Sequence, residues 1–145
     1  MSVRLAELAV GDALPERTHT PTNVSLFLYN AAVWISHRIH YDERYTTEVE
    51  RYPGIVIDGP LQGDWLAQCV TNWLGDRGKL LRFHYSNRKA AYLGETLTSG
   101  GRVTAIDRAA RARPRTVTVE LIVKNAAGEV TSSGGATVEL DDGWG

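Results

Sequence analysis

The sequence predicts an α+β fold, an antiparallel β-sheet curled around one buried helix. Three observations carry that expectation. From Gly59-Pro60 to Leu74, the residues Leu61, Trp65, Leu66, Cys69, Val70 and Trp73 cover most of a helix's circumference. Only a narrow strip of Asp64, Gln68, Thr71 and Asn72 is polar, and a helix apolar nearly all round is a buried one. From Thr116 to Val123, Val117, Val119, Leu121 and Val123 alternate with Thr116, Thr118, Glu120 and Ile122, the period of a strand with one face on a core. Asn125-Ala126-Ala127-Gly128 then reads as a hairpin turn, with Val130 to Leu140 as the returning strand.

The other elements follow in chain order. Thr20 before Pro21 suits an N-cap with proline at the first helical position, where its missing N–H costs nothing. Val24, Phe27, Leu28 and Ala31 recur at helical spacing and predict one apolar face running to about Trp34. Asp42 is placed to cap a short second helix with Tyr41, Tyr45 and Val49 on one stripe, ended by Tyr52-Pro53-Gly54. Leu80 to Tyr85 and Glu95 to Asp107 are expected as two further strands. Gly100-Gly101 and Gly134-Gly135 fall inside strands, where glycine marks a bulge or the close approach of another backbone.

The totals restrict function more than they define it. The 145 residues fit one domain, taken as 1–145, and 43% hydrophobic with 23% charged residues is ordinary globular composition. A net charge of -1 gives no general attraction to nucleic acid, and the arginines lack interleaved aromatics, so no nucleic-acid partner is expected. No apolar run reaches the roughly 18 residues of a membrane span. The opening MSVRLAELAVGDALPERT carries Glu7 and Asp12 and does not read as a signal peptide. Cys69 is the only cysteine, which excludes an internal disulfide and a cysteine-based zinc cluster. A cytoplasmic setting is the resulting expectation.

Four segments carry a resemblance: VGDALPERTHT (10–20), HRIHYDERYTTEVERYPG (37–54), GIVIDGPLQGDWLAQ (54–68) and NRKAAYLGETLTSGGRVTAI (87–106). Together they resemble the MaoC-like acyl-CoA hydratases and dehydratases, whose hotdog fold wraps a sheet around one long helix. The HRIHYD and YPGIVIDGPLQ wording is closest to the subgroup of itaconyl- or mesaconyl-CoA hydratases and mitochondrial-type 3-hydroxyacyl-thioester dehydratases. The second half also resembles small subunits of actinobacterial hydratases acting on steroid side chains. The resemblance implies that 10–20 is an opening strand and that the protein is a hydro-lyase unit acting on 2-enoyl thioesters. It also implies an acyl-CoA or acyl-carrier substrate, no cofactor, and a homodimer or a heteromer with another hotdog subunit.

Adding water to a 2-enoyl thioester needs a base for the water, an acid for the α-carbon, and donors for the charge growing on the thioester oxygen. The resemblance gives His40 the place of the family's catalytic histidine and the Gly59 N–H that of its oxyanion donor. Two positions depart from the pattern. Ile35 stands five residues before His40, where the family has aspartate or asparagine, and Asp58 replaces the usual histidine before Gly59. Three explanations remain open: Asp58 reaches His40 from the other side, another chain supplies the acid, or this chain is a silent subunit that shapes an acyl pocket. A hotdog thioesterase, with Asp64 as its carboxylate, is a third function.

Arg88 and Lys89 are candidates for the phosphates of CoA, whereas Arg108, Arg111, Arg113 and Arg115 of RAARARPR read as a solvated hairpin loop. His37 and His40 are three residues apart, but no further metal-ligand spacing accompanies them, so no metal is expected and His37 reads as orienting or structural. His19 and His84 read as structural.

Overall fold

The structure is a computed structural model describing residues 7–108 and 115–141. Strand β1 (Ala13–His19) leads to helix α1 (Asn23–Val33), a 3₁₀ turn at Arg38–His40 and a π-helical turn at Tyr45–Val49. The long helix α2 (Gly59–Leu74) precedes β2 (Gly78–Asn87), β3 (Leu97–Asp107), β4 (Arg115–Lys124) and β5 (Val130–Leu140). The strands form one antiparallel sheet in the order β1-β3-β4-β5-β2. Helix α2 touches all five.

The two patterns that predict the fold meet in its core. Leu66 and Val70 of α2 are fully buried, as are Val117, Leu121 and Val123 of β4. Each such side chain contributes roughly 1.5–3 kcal/mol on leaving water, which is why α2 must lie inside the curled sheet. Gly134 shows how tightly that sheet is drawn: a Cβ there would stand 2.2 Å from the His84 carbonyl oxygen. The hairpin after β4 closes through Asn125, whose Oδ1 accepts from the N–H groups of Ala127 and Glu129, while Gly128 takes a φ of 80°.

Helices and strand ends differ in part from expectation. α1 begins behind Thr22, not Thr20, because Thr22 and Ser25 form a reciprocal capping box. Thr20 instead hydrogen-bonds Thr96 at 2.8 Å. The expected apolar face of α1 points outward, with Val24, Phe27 and Leu28 about 60% exposed and Trp34 at 92%. The side chains α1 buries are Leu26 and Asn30. Asp42 caps as expected, its Oδ1 accepting from Tyr45 N–H at 3.0 Å. However, Tyr41 and Val49 are exposed and Thr46 is the buried residue of that turn. β2 runs two residues longer at each end than Leu80 to Tyr85. β3 begins at Leu97 because Glu95 belongs to a turn, its side chain accepting from Tyr92 N–H at 2.6 Å beside Gly94 at φ 97°. Among the described residues no helix is long and apolar enough to cross a membrane.

Candidate active site

The segment leading into α2 builds the site. Ile55 to Ile57 is held on two sides, Val56 N–H donating to Ile39 O at 3.0 Å and Ile57 N–H to Ala91 O at 2.8 Å. This brings the turn that carries His40 against the residues preceding α2. His40 Nδ1 lies 2.7 Å from the Val56 carbonyl oxygen and 3.1 Å from Asp58 Oδ2. A carbonyl oxygen can only accept, so Nδ1 carries a proton, and in the neutral imidazole the lone pair is then on Nε2. Nε2 has no partner among the described residues.

Asp58 occupies the N-cap position of α2 but makes no capping bond with its side chain. Its carboxylate is instead fully buried and committed to the interior. Asn30 Nδ2 donates to Asp58 Oδ1 at 2.7 Å and lies 3.1 Å from Oδ2, while also meeting Leu26 O at 2.7 Å. Burial pushes the Asp58 carboxyl above its usual range, and the neighbouring His40 and the Asn30 hydrogen bond offset part of that rise. Thus α1 supplies a polar residue to the centre after all: Asn30 holds Asp58, and Asp58 faces His40. Ile35, part-buried just after α1, takes no part.

Gly59 is the first residue of α2, and the helix's first backbone hydrogen bond runs from Gln62 N–H to Asp58 O at 3.2 Å. Its own N–H precedes that bond and belongs to the donor-rich, positive end of the helix. A side chain here would require the Asn87 carboxamide to move, since a Cβ on Gly59 would stand 2.1 Å from Asn87 Nδ2.

His40 lines two clefts. One, of about 330 Å³, is walled by Val24, Phe27, Tyr41 and Ile55 and is mainly apolar. The other, of about 320 Å³, is lined by Gly59, Gln62, Asn87, Arg88 and Lys89. The outward apolar face of α1 therefore walls a cleft beside His40.

The expected site residues separate into three groups. His40, Asp58 and Gly59 come together, and Arg88 and Lys89 share the second cleft with His40 and Gly59. Arg88 Nε donates to Ser133 Oγ at 3.0 Å and the Lys89 ammonium pairs with Glu129, both side chains remaining exposed. Asp64 lies apart: exposed on α2, it accepts from Tyr29 O–H at 3.1 Å and lines neither cleft. His37 sets its ring edge-on to His40 at 6.1 Å. His19 stacks on Trp65 at 4.1 Å and reaches Ser99 Oγ, and His84 lies against Gly135. Arg111 and Arg113 fall outside the described residues. Asn30 and Gln62 were not expected, because their partners lie 28 and about 70 residues away.

A sheet wrapped around a central helix, with an ordered histidine at the head of that helix, defines a hotdog-fold protein. The R-hydratase PhaJ1 from Pseudomonas aeruginosa superposes with a TM-score of 0.84 at 21% identity, covering 96% of this chain and 86% of that one. One chain of the ChsH1–ChsH2 complex from Mycobacterium tuberculosis gives 0.78 at 19% identity, covering 92% of this chain and 98% of that one. Residues 8–93 match the family described as hydroxyacyl-thioester dehydratase type 2, and the chain belongs to that family. Mesaconyl-C(4)-CoA hydratase of Chloroflexus aurantiacus is 46% identical over 52 residues, 36% of this chain and 18% of that protein. The mitochondrial hydroxyacyl-thioester dehydratase type 2 of Saccharomyces cerevisiae is 30% identical over 82 residues, 57% and 29% respectively. The chain thus matches less than a third of the length of these curated relatives.

Proposed function

We propose that the chain is an acyl-thioester hydratase/dehydratase whose reacting base is His40 Nε2. The observation that carries this reading is the pinning of His40 Nδ1 by Val56 O and Asp58, which leaves the other ring nitrogen free beside Gly59. In hydration, Nε2 takes a proton from water while the oxygen bonds C3 of the enoyl thioester. The displaced electron pair moves to the thioester oxygen, where the Gly59 N–H stabilises it. The proton on Nε2 then passes to C2, restoring the imidazole. Dehydration is the reverse. Asp58 stabilises the imidazolium formed in between, in place of the carboxylate expected five residues before His40.

The clefts fit such a substrate. The acyl chain suits the apolar walls of Val24 and Phe27, and the polar CoA or carrier arm suits the side bearing Arg88 and Lys89. A homodimer or a heteromer with another hotdog subunit, in a cytoplasmic setting, is part of the proposal.

A second reading, a silent partner subunit, is favoured by Ile35 and by the exposed apolar face of α1. A short panel of 2-enoyl-CoA thioesters separates the two. Hydration by the purified chain that collapses in His40→Ala supports the enzyme. A folded chain that binds acyl-CoA but turns over none of the panel supports the subunit. Release of free thiol from saturated acyl-CoA would instead indicate a thioesterase.

A further inference from the structure

We infer that Gln62 is a second, side-chain donor to the thioester oxygen, completing with Gly59 N–H a two-donor oxyanion site. The inference deepens the proposed function and shares its substrate class. Gln62 is only 2% exposed, yet it lies on the wall of the cleft containing His40 and Gly59. Its carboxamide is held by one end. Thr131 Oγ1 lies 2.6 Å from Gln62 Oε1, and Ser132 Oγ lies 3.0 Å from it.

The shorter distance points to the oxygen as the end that is held. Hydroxyl-to-oxygen hydrogen bonds span about 2.5–3.0 Å, whereas N–H to oxygen bonds begin near about 2.7 Å. The Thr131 contact is therefore a hydroxyl donating to the amide oxygen, and the amide nitrogen is the end left over. Gln62 Nε2 has no partner among the described residues. It is not sealed in either, since Asn30 Oδ1 is the unpartnered buried side-chain polar atom among the described residues. Nε2 therefore reaches the cleft surface.

Helix geometry aims that nitrogen. A helical side chain leans toward the N-terminus, over the residue three or four positions earlier. Three residues before Gln62 is Gly59, against which the Asn87 carboxamide packs. A buried amide with a fixed oxygen and an unused N–H pair thus lies one helical turn from the backbone donor expected to meet the substrate, on the wall of the same cleft. A substrate oxygen there would satisfy both.

Gln62→Glu, measured at a pH where the new carboxylate is ionised, keeps the shape and the oxygen held by Thr131 and Ser132 but removes the donor. Gln62→Met removes the amide while leaving Val123 O and Asn87 Oδ1, 3.3 and 3.0 Å away, as acceptors for Thr131 and Ser132. Isotope-edited infrared spectroscopy of carbonyl-labelled butyryl-CoA reads the contact without turnover. The wild-type chain should move the thioester carbonyl band to lower wavenumber on binding, and both variants should lose most of that displacement. With crotonyl-CoA, kcat should fall on the order of 10²-fold in both, with KM changed only a few-fold. Full band displacement in either folded variant overturns the inference. A wild-type chain that displaces the band but hydrates nothing refutes the hydratase reading and leaves the Gln62 contact standing. A wild-type chain that binds no butyryl-CoA refutes both.

Discussion

Replacing Asp58 by asparagine tests the centre of the proposed mechanism. The change keeps the size of the side chain and an oxygen for His40, and removes one negative charge. Asp58 is fully buried and the His40 side chain is 11% exposed, so little water screens the pair. With Oδ2 3.1 Å from Nδ1, the charge centres lie about 4 Å apart, where an effective dielectric of about 20 gives roughly 4 kcal/mol. The asparagine dipole retains part of this, leaving about 3 kcal/mol lost when the imidazolium forms, on the order of 10²-fold in kcat. The loss stops there because the Val56 carbonyl, at 2.7 Å, holds the tautomer independently of residue 58. Stopped-flow or steady-state loss of enoyl-thioester absorbance would measure it, with KM expected to stay within about threefold. An undiminished kcat would refute the charge argument, and a loss beyond about 10⁴-fold would show that Asp58 also fixes the tautomer.

The same substitution should alter folding with a definite sign. Burial raises the Asp58 carboxyl above its ordinary value of 3.8, so its neutral form favours the fold below that value. That contribution is lost as pH rises through the higher folded-state value. The Tm of Asp58→Asn minus that of wild type should therefore grow more positive from about pH 4 to pH 7 in thermal denaturation, and a flat or falling difference would contradict it. Gly59→Ala places a methyl group 2.1 Å from Asn87 Nδ2 and should cost about 1–3 kcal/mol by urea titration, with Asn87→Ala in the same chain recovering most of it. Phe27→Ala, at a site 61% exposed, should change stability by no more than about 0.5 kcal/mol. It should nevertheless raise KM for a long-chain enoyl-CoA several-fold more than for crotonyl-CoA.

What was legible in the sequence depended on whether a residue's role is set by its neighbours along the chain. α2 and β5 have the expected bounds because the packing of Leu66, Val70 and Val138 inside the sheet is what their periodicity encodes. β1 was visible only through the resemblance, since ALPERTH buries Leu14 alone and has no alternation to read. α1 misled for a definite reason. Periodicity identifies an apolar face but not what it faces, and Val24 and Phe27 wall an open cleft while Asn30 turns inward. His40, Asp58 and Gly59 could be singled out as positions, and their approach was one of several possibilities. The Asn30–Asp58 contact and the Thr131–Gln62 anchor join residues distant in sequence and ordinary in type, so only the folded arrangement reveals them.

The fixed Nδ1 of His40 has a stereochemical consequence. A ring with one nitrogen tied to Val56 O cannot turn its reactive edge to both sides of a planar enoyl thioester. If that edge takes the proton from water and later returns one to C2, the new C–O and C–H bonds form on the same face. Hydration in deuterium oxide would then leave the isotope at C2 in one configuration, syn to the oxygen at C3. The shared face of the two new bonds would thus trace back to a single backbone carbonyl.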